Sequence, residues 1–405
     1  MRSVLEHQQV VAGLLHPVGS TTLALADSVG RVLARDHLAA MSLPSFDNSA
    51  MDGYAVRAVD ITTAGPDSPV ALPVAEDIPA GRQYSPPLKP GTAHRIMTGA
   101  PMPPGADTVV PVEATDGGTA TVTIIESRAT GSHVRYAGED VEPGQRVLGA
   151  GAVIGPAQIG LLAALGTTSV EIRCRLRVLV LSTGSELVQP GTALQPGQIY
   201  ESNGPMLVAA LNASGADATL LRFVADDVEH FHAALAPHLA DADLIVTTGG
   251  VSAGAYEVVK DALASEDVTF TSVAMQPGKP QGAGRYRGVP IVTFPGNPVS
   301  ALVSFEVFLR APLRAAMGFP EAARAIVHAT LAEAIDAPAG RRQFRRGSLS
   351  FADGAATVSH VGPPASHFLN SLATTDCLID IPEDVVRLEV GDQVSVWATE
   401  WSRES

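Results

Sequence analysis

Between residues 171 and 321 short apolar runs alternate with helix-like segments, and nothing else in the chain restricts its fold as strongly. RVLVLSTGSEL passes from an apolar pulse into a polar loop. SNGPMLVAALNASG opens on Ser202 or Asn203, carries Pro205 early and meets Gly215 where a helix would stop. ATLLRFV, the helix-like DDVEHFHAALAPHL and the strand-like DLIVTT follow. Then come TFTSVAMQ, VPIVTF and PVSALVSFEVFL, the last a helix opened by Pro298. This order predicts a mostly parallel sheet with right-handed crossovers, and in such sheets ligands sit beyond the carboxyl ends of the strands.

Three of the expected strands end in polar or glycine-rich loops: STGSEL (182–187), TTGGVSAG (247–254) and FPGNPVSA (294–301). A fourth loop, QPGKPQGAG (276–284), precedes the last of those strands. Glycine lets a backbone approach a ligand closely, and successive N–H groups make an anion nest. Thr183, Thr247, Thr248, Ser252 and Ser300 would add hydroxyls, and Lys279 a point charge. Glu186 and Asp226 could hold a divalent cation against phosphate oxygens, because hard cations prefer oxygen ligands. Glycine and proline punctuate turns everywhere, so one such loop says little; several on one sheet edge say more.

GVSAG also matches the G-x-S-x-G pattern of serine hydrolases. That chemistry needs Ser252 on a strand-to-helix elbow, with an acid and a histidine later in the chain. His328, His360 and His367 all lie beyond the α/β stretch, and paired Thr and Gly put too much loop before the serine. The spacing is not that of Walker A, and no G-x-G-x-x-G follows the first strand.

Outside 171–321 the texture changes. Residues 1–44 read as helical, in VLEHQQVVAGLL and LALADSVGRVLARDHL, and 139–170 return partly to helix with PAQIGLLAALG. Residues 45–138 read as a β-rich insertion, and 322–405 as a small β-domain. A formal charge of −15 argues against broad nucleic-acid or anionic-membrane binding. Only three lysines occur, Lys89, Lys260 and Lys279, so a lysine beside a glycine loop stands out. No apolar run approaches a membrane span, the first residues lack a signal-peptide core, and two cysteines form no framework. The expectation is a soluble protein of the cytoplasm. The scattered histidines, His230 and His232 among them, lack ligand spacing.

SFDNSAMDGYAVR (45–57) is dense in Asp, Asn, Ser and Gly. It is either a capped turn or a tip that presents Asp52 to a ligand. IMTGAP (96–101) poses the same choice for Thr98. The residues alone leave both open.

Taken in order, SFDNSAMDGYAVR, IMTGAP, STGSEL, IYESN, TTGGVSAG, PGKP and FPGNPVSA resemble the molybdopterin molybdenumtransferase family, which includes bacterial MoeA and the E domain of gephyrin. The resemblance spans essentially the whole chain. It implies a four-domain, elongated homodimer: 1–44 with 139–170, the inserted 45–138, an α/β molybdopterin-binding domain at 171–321, and 322–405. It implies insertion of molybdate into adenylylated molybdopterin with release of AMP, aided by Mg²⁺. Asp52, Thr98, Glu186, Asp226 and Glu257 match functional positions, with Glu186 and Asp226 as the metal ligands. Thr183, Gly184, Thr248, Gly249, Gly250, Ser252, Lys279, Pro295, Gly296, Asn297 and Pro298 would bind substrate. The insertion would face the partner's α/β domain, making the site composite.

The chain departs from the family pattern at Glu257, where Asp is common, and at Gln276 and Ser272, where lysines are common. Losing two cations weakens anion binding unless Arg285 or Arg287 substitutes. An alternative is a gephyrin-like scaffold that binds a partner-protein peptide. Its candidate patch is RRQFRRG (341–347), with Phe344 between paired arginines; the other reading of that stretch is a solvated β-turn.

Overall fold

In the computed structural model, which describes residues 1–221, 227–250 and 258–399, the α/β alternation forms one six-stranded sheet. Its order is Asp217–Leu220, Arg177–Ser182, Leu244–Thr248, Val289–Phe294, Pro280–Tyr286, Asp267–Ser272. The first four strands are parallel, and Pro280–Tyr286 runs antiparallel to both its neighbours. The second half of the expected loop QPGKPQGAG is therefore strand: Gly282 and Gly284 leave no room for side chains against Thr293 and Asp267.

The central strands are buried on both faces, which explains their unbroken apolar runs. Val178, Val180, Leu244 and Val246 face one way, toward Leu207 and Leu211 of the helix Asn203–Ala213 and toward Phe305 and Phe308. Leu179, Leu181 and Ile245 face the other way, toward Phe231 and Leu235 of Val228–Leu235 and Val259 of Val258–Ala262. The chain leaves Arg177–Ser182 for a strand on one side and returns on the other at Leu244–Thr248. The strand order thus reverses between these two, and a crevice opens at their carboxyl ends.

VLEHQQVVAGLL forms the helix Val4–Leu14, started by a capping box in which Ser3 Oγ accepts from Glu6 N and Glu6 Oε2 accepts from Ser3 N. Its Val4 and Val11 join the core of the α/β sheet, and His7 packs edge-on against Phe308. LALADSVGRVLARDHL, expected as helix, is not one. It gives the strand Ser20–Ala24, paired with Ser169–Arg173, then one 3₁₀ turn at Leu25–Asp27. Gly30 follows at φ +74, outside helical space. Its apolar residues Leu25 and Leu33 pack instead with Ile154, Leu162 and Ile172, so tertiary burial overrides the helical spacing.

Residues within 45–138 form a five-stranded sheet with its own core, built on Tyr54, Ile61, Val110 and Ile124. In the last part of the chain five strands close into a ring, because Arg342–Ala352 pairs with both Ala355–His360 and Cys377–Ile381. Met275–Gln276 adds to that ring in parallel with Arg342–Ala352, which joins the PGKP loop to the final domain. Among the described residues no helix is long and apolar enough to cross a membrane.

Candidate functional site

The crevice at the strand reversal is a cavity of about 930 Å³. Thr183, Gly184 and Glu186 come to it from the end of Arg177–Ser182, and Thr248, Gly249 and Gly250 from the end of Leu244–Thr248. Lys279 and Gln276 form another wall, with Pro295, Gly296, Asn297 and Pro298 beside them. Each of these loops was expected there. Asp226, Ser252 and Glu257 lie outside the described residues.

Backbone contact holds the loops together. Thr183 N donates to Thr248 O at 3.1 Å, and Gly249 N donates to Phe294 O at 3.2 Å. Gly249 sits at φ +93, and a Cβ there would lie 2.5 Å from Thr183 O. One at Gly296 would lie 3.4 Å from Gly249 Cα, an ordinary contact, so two loop backbones meet where Gly249 is the one that leaves no room for a side chain.

Asn203 links the same elements through its carboxamide, and it was not foreseen as a site residue. Its Nδ2 donates to Thr248 Oγ1 at 3.1 Å and to Gly296 O at 2.6 Å. The Thr248 hydroxyl donates in turn to Pro295 O at 3.1 Å, so it is already engaged in the loop framework. The sequence did carry a signal, since IYESN stands just before the helix Asn203–Ala213. The same motif brings in a buried acid: Glu201 Oε1 accepts from Ser182 Oγ at 2.8 Å and from Gly204 N at 2.6 Å.

Among the described lining residues charge is sparse. Glu186 is exposed, and its carboxylate folds back so closely that a Cβ on Gly184 would lie 2.7 Å from Oε2. Lys279 is the single lysine or arginine among the described lining residues. Arg285 and Arg287 do not replace the missing lysines. Arg285 donates to Gly288 O and Leu14 O, while Arg287 stacks over Tyr286, and neither lines the cavity. Further cations come from the C-terminal ring: Arg345 and Arg346 line an adjoining hollow of about 400 Å³ that shares Pro277 and Pro364 with the cavity. Burial pushes the pKa of both guanidinium groups down from the ordinary arginine value.

The final domain also supplies a wall that sequence reading missed. Ser366 Oγ accepts from Asn297 Nδ2 at 2.8 Å, Ser366 O accepts from Val299 N at 3.1 Å, and His367 lies alongside. RRQFRRG is neither an exposed patch nor a turn. It lies largely in the strand Arg342–Ala352, where Phe344 is 1% exposed and meets Trp397 edge-on. Arg342 makes two bonds to the Asp380 carboxylate, at 2.7 and 2.5 Å. Arg346 donates to the carbonyls of Phe368 and Pro363. Of the histidines set aside earlier, His230 bonds the helix-capping Asp227 and His232 Nδ1 lies 2.7 Å from Tyr286 Oη.

Asp52 and Thr98 stand apart from the cavity, on the inserted sheet. Thr98 N and Thr98 Oγ1 both donate to Asp52 Oδ1 at 2.7 Å, and both residues are exposed. The backbone bond first, then the hydroxyl bond, hold the Asp52 carboxyl below the ordinary carboxylate range.

Three family models match the chain: "MoeA N-terminal region (domain I and II)" over 2–166, "Probable molybdopterin binding domain" over 179–315, and "MoeA C-terminal region (domain IV)" over 328–399. It is 56% identical over 404 residues to molybdopterin molybdenumtransferase 2 of Mycobacterium tuberculosis H37Rv, covering 98% of this chain and 99% of that one. It is 34% identical to the molybdopterin molybdenumtransferase of Haemophilus influenzae, covering 94% of each. The crystal structure of a molybdopterin biosynthesis MoeA protein from Pyrococcus horikoshii superposes with a TM-score of 0.83 at 30% identity, covering 98% of both chains.

Proposed function

This chain belongs to the MoeA family of molybdopterin molybdenumtransferases, and on that premise we propose that it inserts molybdate into adenylylated molybdopterin with release of AMP. The observation that carries the reading is the cavity at the strand reversal, lined by glycine backbone and one lysine. Its volume of about 930 Å³ suits a small anionic ligand and not a polymer. Thr183, Gly184, Thr248, Gly249, Gly250, Ser252, Lys279 and the turn Pro295, Gly296, Asn297, Pro298 are the proposed substrate contacts. Here Ser252 binds and does not attack.

Mg²⁺ is the proposed cofactor, held by Glu186 and Asp226. Glu186 offers hard oxygen donors at the cavity. Such donors suit Mg²⁺, which is commonly bound by one or two carboxylates together with substrate phosphates. When bound, it would offset phosphate charge near the anhydride whose cleavage releases AMP. Glu257 is the further acid assigned to the reaction.

Asp52 and Thr98 are proposed to act on the cavity of a partner subunit, in a homodimer whose active sites are composite. They are exposed, rest on a module with its own core, and do not line the cavity of their own chain. Asp52 would then present an ionised carboxylate, oriented by Thr98, to the reacting end of the substrate. The division into 1–44 with 139–170, 45–138, 171–321 and 322–405 is part of this proposal, as is a cytoplasmic location. The peptide-binding scaffold has no comparable support, since its candidate patch is interior strand.

The test is AMP release by purified protein given adenylylated molybdopterin, Mg²⁺ and molybdate. The expected result is molybdate-dependent release; substrate binding with no release under any metal condition would overturn the reading.

A further inference from the structure

Lys279 is an exposed residue on a short loop, yet a cation useful for binding must be held in place. On its own backbone, Lys279 O accepts from Val273 N at 2.7 Å. The preceding residue is held differently. Gly278 O accepts from Gln281 Nε2 at 2.7 Å, and the same nitrogen donates to Ser304 Oγ at 2.7 Å. Gln281 is 1% exposed and does not line the cavity, so it reaches the ligand only through that loop.

Two details show how fully this amide is committed to the loop. A carbonyl can only accept, so Gly278 O fixes which end of the amide faces it. Gln281 Oε1 is then buried with no partner among the described residues, an arrangement that costs stability. The loop also fits the amide tightly. Gly278 has φ +101, and a Cβ there would lie 3.0 Å from Ser304 Oγ and 3.4 Å from Gln281 Nε2. An apolar side chain of similar volume would remove the orphaned Oε1 but would leave the buried Gly278 carbonyl and Ser304 hydroxyl without the donor that joins them.

We infer that Gln281 is a positioning residue for Lys279: its carboxamide ties the Gly278 carbonyl to Ser304 on the helix Pro298–Ser304, and so sets where the ammonium stands in the cavity. The inference rests on the functional reading above for its ligand, but the mechanical part does not depend on it.

The test replaces Gln281→Met in the full-length protein and, as a milder cut at the same tie, Ser304→Ala. Gln281→Met is expected to lower Tm by a few degrees while the protein stays folded, to raise KM for adenylylated molybdopterin about tenfold with kcat changed less than about twofold, and to speed hydrogen exchange across 273–280. Ser304→Ala should move the same readouts in the same direction by less. In a Lys279→Ala background, Gln281→Met should add nothing further to KM, because the residue it positions is gone. A full tenfold loss on top of Lys279→Ala, or unchanged KM together with unchanged exchange, would overturn the inference. Should the wild type not turn over, the functional reading fails alone: faster exchange at 273–280 still supports the tie, and unchanged exchange removes it.

Discussion

The strand-end cavity and the Asp52–Thr98 turn are both polar, loop-borne sites, but they are assembled in opposite ways. The cavity draws on the ends of three parallel strands, the PGKP loop and a segment of the final domain; Asn203, Thr248 and Ser366 crosslink the strand-end loops and the final-domain segment. The turn consists of one carboxylate and one threonine, bonded to each other and open to solvent. The cavity can recognise a shape and a charge by itself. On the proposed function, the turn would present Asp52 to a partner's cavity, since neither Asp52 nor Thr98 lines the cavity of its own chain. That contrast is why the two are assigned to binding and to chemistry, respectively.

The largest expected effect comes from removing the reactive group. Asp52→Ala should lower kcat on the order of 100-fold, as loss of a positioned acid–base group does, with the protein folded and Tm only slightly lowered, because the side chain is exposed and loses only its bonds to Thr98. Loss of folding in this variant, seen by calorimetry, would reduce the turn to a structural cap and break the contrast. Lys279→Ala should act on the other side of it, raising KM by roughly 30-fold with a smaller change in kcat, since the cavity loses its single described lysine. A collapse of kcat at constant KM would move Lys279 from binding to chemistry. Gln276→Lys adds a cation to the same wall and should tighten adenylylated molybdopterin binding by about threefold, falling as salt rises. Unchanged affinity by calorimetric titration would mean that Arg345 and Arg346 already meet the charge requirement.

The smallest expected effect is a titration. Thr98→Val removes the hydroxyl donor but keeps the backbone one, so the Asp52 pKa should rise toward the ordinary carboxylate value, read by carboxyl-carbon NMR. The sign follows from linkage. With its folded pKa depressed, Asp52 contributes stability that is present above the unfolded value and is lost as pH falls through the folded one. Activity that depends on its ionised form should therefore persist to lower pH in the wild type than in Thr98→Val.

The same contrast explains what could be read from the sequence. The α/β elements were legible because their signals are local: unbroken apolar strands, a helix between Ser202 and Gly215, Pro298 at a helix start. Parallel topology then carries the STGSEL, TTGG and FPGNP loops to one edge with no need for long-range information. Asp52 and Thr98 stood out in their own turns, but the residues left their role open and only the family resemblance chose the functional reading; their contact, across 46 residues, could not be read. The Ser366 wall had no such aid, and nothing in PPASHFLN announces a partner 69 residues away at Asn297. Helical spacing in LALADSVGRVLARDHL misled because Leu25 and Leu33 bury against a strand pair formed by distant chain. RRQFRRG looked like surface, yet Asp380 pairs with Arg342, and backbone carbonyls of Asp336, Phe368 and Pro363 accept from Arg345 and Arg346.

The most direct test of the composite site mixes two impaired proteins at substrate far below KM, where Asp52→Ala and Lys279→Ala each retain only a few per cent of wild-type activity. Asp52→Ala and Lys279→Ala subunits are unfolded together in equal amounts, refolded, and assayed for molybdate-dependent AMP release. If Asp52 serves the partner's cavity, each mixed dimer holds one intact site of its two, and random pairing restores roughly a quarter of wild-type activity. Activity no greater than the average of the two parent variants, with mixed dimers verified by mass spectrometry, would contradict the account and return Asp52 to its own chain.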